Sequence, residues 1–582
     1  MCHIVKQNYS GLIPVFFLLI ILQVIPSLVT AQETKPFWPL QKAPKYVVTC
    51  KIQNFSDVGE MNLAQSVSGL AAKSVNEGSS DEGVWLNCRN ANYKTYYQSL
   101  IKRIAAKERG LFSVWELVGR YQQRGIIDGY ILYDVNRRDN SINLATIYAS
   151  IKNGVLIDIS QEATAIRKGL PKLYDATKST FDLKAFQSVS GQLNSNLLVV
   201  ANPRFSNNKD FAIAHKCAIY YGVDSLYLNI LNWIQPLSPI IGWNVGDEFK
   251  QIEPCTSRGL VNIPADWCEN LALLSAASSR QPAKVKSINP GLINWQEDKN
   301  YEAFVMSDGD NLQWTFGSFI YSRDYWNNRA NAAIPMSFTA CPVNLVQAAD
   351  DVYDQLVQSQ QANVSVVEYG AGYFYPDLFG RKTKDGEKLL RTYAKKINAQ
   401  LKLTGVKVFG FICKDISSAG ALKAYQIYAE ELEGITGIIA VQYSPYNGGH
   451  GKIFWVKNKD GIEIPVITAK YQLWANLKSN GSGNPVELAD LINQDDAPAV
   501  GKTKQLNWTI VHAWSQYYNE NEDVPNNERV AMKGARGVTP VKWTKQLLDK
   551  TVKVISIEEL LWRLRMQHNS VDTKSVIDHS QF

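Results

Sequence analysis

At 582 residues, 45% hydrophobic and 20% charged, the chain has a globular composition and is too long for one ordinary core, which predicts roughly two to four domains. Its formal charge of +7 comes with no basic stripe or RNA-binding signature, so nucleic acid is excluded as an expected partner. The cysteines lack CxxC spacing, which argues against a structural zinc site.

Lys6 precedes an apolar run from Leu12 to Val29 that is broken by Pro14, Gln23 and Pro26 and closes on Val29-Thr30-Ala31, a small-residue cleavage pattern. A signal peptide over residues 1–31 is expected, since the prolines and Gln23 spoil the alternative, a retained spanning helix. No second long apolar run follows, so the mature chain is expected to be exported, periplasmic or extracellular, with no membrane span. Cys255 and Cys268 lie near enough in sequence to allow a disulfide, whereas several other cysteines sit in apolar runs and read as small buried hydrophobes.

Residues 32–114 read as a small α+β domain, with strands at Lys45 to Ile52 and Gly83 to Cys88 around a helix near Leu63 to Lys73. Over residues 115–298 the pattern alternates: strands at Gly129 to Val135, Gly154 to Ile159, Asn196 to Ala201 and Ser225 to Ile230, with a helix at Ile142 to Ile151. This predicts an α/β domain with parallel strands. It holds no GxGxxG or GxxxxGK[ST] motif to support nucleotide binding. The segment IGWNVGDE, Ile241 to Glu248, sets Trp243 before Asp247 and Glu248 in a glycine-bearing loop. Those residues can line a polar cleft, and a solvated turn capped by Asp247 accounts for them equally well.

Residues 299–582 are the most regular part. Strand-like runs occur at Glu302 to Ser307, Pro335 to Ala340, Val364 to Tyr369, Val406 to Ile412, Gly437 to Tyr443, Ile464 to Thr468, Trp508 to Ala513 and Val552 to Ile557. Between several of them lie amphipathic helices, one with Leu345, Val346, Ala349, Val352, Tyr353 and Leu356 at helical spacing. A (β/α)8-like barrel is expected, a distorted TIM barrel where Asn447 to Lys459 reads as a hairpin, with a seven-stranded or open variant left open. The whole is then a multidomain α/β protein, N-terminal α/β modules preceding the barrel.

In such barrels reactive groups gather at the C-terminal ends of the strands. Those positions carry MSDGDN (Met306 to Asn311), Glu368 and Tyr369, Asp415, Trp474, His512 and Trp514. Asp308 and Asp310 flank a glycine directly after a strand, so both can face the rim as acid and base or as oxygen ligands of a divalent cation; an Asp-Gly turn capping the next helix is the plainer alternative. Glycosidic hydrolysis needs one carboxyl to protonate the leaving oxygen and a second to attack or activate water, and Asp308, Asp310, Glu368 and Asp415 form the candidate pool. His512 with Asp308 and Asp310 would suit a metal-assisted deacetylase-like hydrolase. A histidine that positions substrate fits better, because no HxxxH spacing accompanies it.

The stretch VSVVEYGAGYFYPDLFG, Val364 to Gly380, has the grammar of a buried strand delivering an irregular aromatic loop. Gly370 and Gly372 free the backbone, while Tyr369, Tyr373 and Tyr375 offer flat faces with hydroxyl handles that suit sugar rings. Gly370 to Pro376 spells GxGYxYP in full, and with MSDGDN and GDE the chain resembles the GxGYxYP family of putative glycoside hydrolases. The resemblance implies a secreted or periplasmic bacterial protein that meets carbohydrate. The expected function is thus an exported glycosidase acting on a poly- or oligosaccharide without a cofactor. Trp243, Asp247, Glu248, Trp474 and Trp514 would help bind substrate. A divalent metal enters only under the deacetylase alternative, and a non-catalytic glycan-binding protein is the third reading.

Overall fold

The computed structural model describes residues 36–277, 281–475, 477, 480–496, 504–517 and 534–579. The leader expected over residues 1–31 lies outside them. No helix among the described residues is long and apolar enough to cross a membrane.

In the first of the sheets, β1 (Tyr46–Lys51) lies between β2 (Glu82–Leu86) and β3 (Lys107–Ser113), both parallel to it. The helix Val58–Glu77 makes the crossover. It starts at Asp57, whose carboxylate accepts from Gly59 N at 2.9 Å, and stops at left-handed Gly78. The segment is therefore a parallel α/β unit and not the α+β arrangement expected. Edge strand β3, KERGLFS, is mostly exposed and carries no hydrophobic alternation, which is why the sequence hides it.

Two further parallel sheets fill the middle of the chain. One has β4 (Gly129–Tyr133) between β5 (Gly154–Asp158) and β6 (Lys172–Asp175). The other uses β7 (Asn194–Val200), β8 (Cys217–Tyr220), β9 (Pro239–Gly242) and β10 (Val261–Ile263) in the order β10-β9-β7-β8. The expected strand at Ser225 to Ile230 is a helix, Ser225–Trp233: the Asp224 carboxylate accepts from Tyr227 N at 3.0 Å, and Leu226, Tyr227, Ile230 and Leu231 are buried at helical spacing.

All eight runs expected in the C-terminal part are strands. The large sheet contains β11 (Asn300–Met306), β12 (Ser337–Ala340), β13 (Ser365–Tyr369), β14 (Val408–Cys413), β15 (Gly437–Gln442), β16 (Ile453–Lys457), β17 (Glu463–Thr468), β18 (Tyr471–Leu473), β19 (Ser482–Gly483), β20 (Leu506–Val511) and β21 (Val552–Ile555). Their order is β16-β17-β15-β14-β13-β12-β11-β20-β18-β19, with β21 on the first residues of β11. Every pairing is parallel except β16–β17; the hairpin expected over Asn447 to Lys459 contributes only β16, and its antiparallel partner is β17. The sheet curls into a half barrel, its inner face built from Val305, Val367, Ile412, Val441 and Ile467 and its outer face, with Phe304, Val366 and Ala440, turned to the helices. After β17 the chain runs straight into a further strand: β17 pairs with β15, and β18, beginning at Tyr471, pairs with β20. One continuous stretch, 463–473, thus carries the wall from β15 to β20.

Candidate active site between the domains

At the C-terminal end of β11 the chain turns sharply. Asp308 takes the left-handed conformation, φ 68°, and Gly309 lies against β12 so closely that a Cβ there would overlap the Thr339 carbonyl. Thr339 fixes the turn, its hydroxyl donating to Met306 O and accepting from Gly309 N, each at 2.8 Å. This throws Asp308 and Asp310 to the same rim. Asp308 is half-buried and accepts the Ser307 hydroxyl on Oδ2. Asp310 is buried, and burial, with the charges of Asp308 and Glu248 beside it, pushes its carboxyl well above the usual range.

A third carboxylate arrives from the preceding domain. After β9 the chain passes Trp243 and begins the helix Glu248–Thr256, with Asp247 as its cap: the Asp247 carboxylate accepts from Lys250 N at 3.1 Å. Glu248 Oε1 accepts the Tyr373 hydroxyl across the domain boundary. Burial raises the Glu248 carboxyl, the Tyr373 hydrogen bond opposes the shift, and Asp308 adds to it.

The GxGYxYP loop makes that meeting possible. Tyr373 N donates to Asn262 O at 2.6 Å, an antiparallel bridge onto β10. Gly372, φ 138°, passes so near β10 that a Cβ would overlap Val261 and stand 3.0 Å from Asn262 O. Gly370 N donates to Gly410 O of β14 at 2.7 Å. The loop therefore joins the sheets and aims Tyr373 into the gap.

The resulting cavity, about 110 Å³, is lined by the acids Glu248, Asp308 and Asp310, by Ser307 and Asn311, by the rings of Trp243, Tyr369, Tyr373 and Tyr446, and by Ile412, Val441 and Ile510 at its floor. Trp243 meets Tyr373 edge-on, centroids 5.6 Å apart.

Other expected site residues stand elsewhere. Glu368 is fully buried and faces the helical layer; its Oε2 accepts from Val343 N at 2.8 Å and its Oε1 from Ala371 N at 3.0 Å, so both oxygens are used in holding backbone. Strand alternation decides this, since neighbours Val367 and Tyr369 take the inner face. Asp415 is exposed and caps its own turn by accepting from Ser417 N at 2.8 Å. Asp247 is spent on the helix cap. Tyr375 is buried behind Tyr373 among Phe249 and Tyr443. His512 stacks on Trp474 at 3.8 Å, Trp474 in turn on Tyr446 at 5.2 Å, and His512 Nδ1 pairs with Ser515 Oγ at 3.1 Å. These three rings form a shelf beside the cavity. Burial lowers the His512 pKa, with the Asp308 charge opposing. Trp514, half-exposed, packs on Trp314.

No group of three or more His, Cys, Asp or Glu among the described residues is placed to hold a metal ion. Cys255 and Cys268 are free and buried, the Cys255 thiol lying 3.1 Å from the Tyr227 hydroxyl. Asp377, just after the motif, went unnoticed in the sequence. Its carboxylate accepts from Lys414 N and Asp415 N at 3.1 and 3.0 Å and so fixes the end of β14.

No curated protein matches the chain. A crystal structure of a putative hydrolase from Bacteroides thetaiotaomicron is similar in fold, with a TM-score of 0.74 at 19% identity over 92% of this chain and 98% of that one. Family models match at residues 127–197 (GxGYxYP_N second domain), 195–276 (GxGYxYP third domain) and 298–561 (GxGYxYP putative glycoside hydrolase C-terminal domain). Together they take in more than two thirds of the 582 residues, so the chain belongs to the GxGYxYP family.

Proposed function

We propose that this chain is an exported glycoside hydrolase acting on a poly- or oligosaccharide, its curled sheet serving as the wall of a (β/α)8-type barrel. The supporting observation is that three carboxylates from two domains, Glu248, Asp308 and Asp310, share one cavity with four aromatic rings. Hydrolysis of a glycosidic bond needs one protonated and one ionised carboxyl together. Asp310, its carboxyl pushed up by burial and by two like charges beside it, is the general acid toward the leaving oxygen. Asp308, half-exposed and steadied by the Ser307 hydroxyl, attacks the anomeric carbon or activates water. Glu248, oriented by Tyr373, holds sugar hydroxyls and adds its charge to the upward push on the Asp310 carboxyl. Export follows from the leader-like residues 1–31.

The test is product release from a panel of polysaccharides by the wild type and by Asp308→Asn and Asp310→Asn. Each amide is expected to lose about 10²- to 10⁴-fold in kcat. Wild-type rates in both variants would sink the assignment.

A further inference from the structure

A second cavity, about 130 Å³, opens beside the first and shares Trp243 with it. It lies at the carboxyl ends of the parallel strands β7, β8, β9 and β10, where Ala201, Tyr221 and Trp243 directly follow the first three and Asp266 stands a little beyond the fourth, the crevice in which open parallel sheets bind ligands. Its lip is aromatic. Trp267 is 53% and Phe205 43% exposed, yet the two rings pack together with centroids 4.8 Å apart, leaving an aromatic lip open to solvent among the described residues. Trp267 N donates to Gln313 Oε1 at 2.7 Å, which ties the lip to the segment that follows Asp310. Inside, Asp266 Oδ1 is shielded from solvent and has no hydrogen-bond partner among the described residues. The Gln313 side chain hydrogen-bonds to the same carboxyl. Burial also pushes the Asp266 carboxyl up to about 6.

An exposed indole face beside a carboxyl that lines the same cavity suits a pyranose ring: its C–H face stacks on Trp267 and a hydroxyl donates to Asp266. We propose that this cavity is a sugar-binding subsite continuous, through Trp243, with the acidic cavity, so that the substrate is a chain spanning several sugar units across both domains. This rests on the glycosidase reading and adds to it the length and path of the substrate.

The experiment uses the full chain carrying Asp310→Asn, to prevent turnover. It is titrated with cello-, xylo-, manno- and malto-oligosaccharides of increasing length and followed by calorimetry, then repeated with Trp267→Ala and with Phe205→Ala added. At least one series is expected to bind more tightly with each added unit until both cavities are filled. Either aromatic truncation should weaken the longest members about tenfold or more and flatten the length dependence. Because both rings are exposed, unaltered thermal unfolding midpoints in the truncated variants are expected. Affinity that does not grow with length, binding that ignores both truncations, or no binding in any series overturns the subsite. Hydrolysis of the same series by the wild type is read separately. Length-dependent binding without product release contradicts the glycosidase reading and leaves the subsite standing, and product release without dependence on length or Trp267 does the reverse.

Discussion

At the scale of single residues, environment separates carboxylates that the sequence presents as equals. Asp310 is raised by burial and by the charges of Asp308 and Glu248. Replacing Glu248 by Gln removes one of those charges, so the Asp310 pKa falls and the alkaline limb of the kcat/KM profile moves to lower pH. A pH–rate profile of Glu248→Gln checks this, and an unmoved limb contradicts it. Glu302 shows the same physics without catalysis. It is fully buried on β11, accepts the Thr509 hydroxyl at 2.8 Å, and burial raises its carboxyl to about 8. With the folded pKa above the unfolded one, its contribution to stability is fully present below about pH 4.5 and is lost as pH rises through about 8. Glu302→Gln should therefore gain stability relative to the wild type as pH rises across that window, which thermal unfolding at several pH values will show.

The rim acids were legible in the sequence to the extent that strand ends are. Asp308 and Asp310 were found because a glycine between two acids directly after an apolar run forces a turn at a predictable place. Glu368 was misplaced because one residue of register decides which face a side chain takes, and a strand buried on both faces gives no alternation from which to read it.

At the scale of elements, the GxGYxYP loop is a joint. Gly372 answers to β10, and Gly370 to a φ of 75° and the Gly372 carbonyl that a Cβ would overlap, while the loop's first tyrosine reaches the cavity. Gly372→Ala places a Cβ against Val261 and Asn262 and is expected to cost about 1–3 kcal/mol while displacing Tyr373. A lowered unfolding midpoint together with reduced turnover is the expected result, and an unchanged midpoint would contradict the joint. The eight main strands of the large sheet could be read from apolar runs bounded by turn residues. The short β18 could not, because three residues, YQL, carry no period, and neither could the exposed edge β3.

For the whole molecule, the candidate site belongs to no single domain. Trp243 and Glu248 come from beyond β9, Asp308 and Asp310 from beyond β11, and Tyr373 from the loop that touches both. Sequence reading placed Trp243 and Glu248 near a cleft but gave no means of choosing between a cleft and a capped turn, and the fold uses both: Asp247 caps and Glu248 points inward. Tyr373→Phe removes the hydrogen bond that spans the boundary. A double-mutant cycle with Glu248→Gln should return a coupling of about 1–3 kcal/mol in transition-state binding, and additive effects would show that the two do not act together.

The most direct measurement is product release from the polysaccharide panel, with unfolding midpoints, for Asp308→Asn, Asp310→Asn and Glu368→Gln side by side. The interdomain cavity as the seat of chemistry predicts that the first two lose at least about 100-fold in kcat with midpoints unchanged. Glu368→Gln should keep turnover within about tenfold and register mainly as a lowered midpoint, because its oxygens hold Val343 and Ala371. Full turnover in Asp308→Asn and Asp310→Asn, or loss in Glu368→Gln as deep as theirs at an unchanged midpoint, would contradict it.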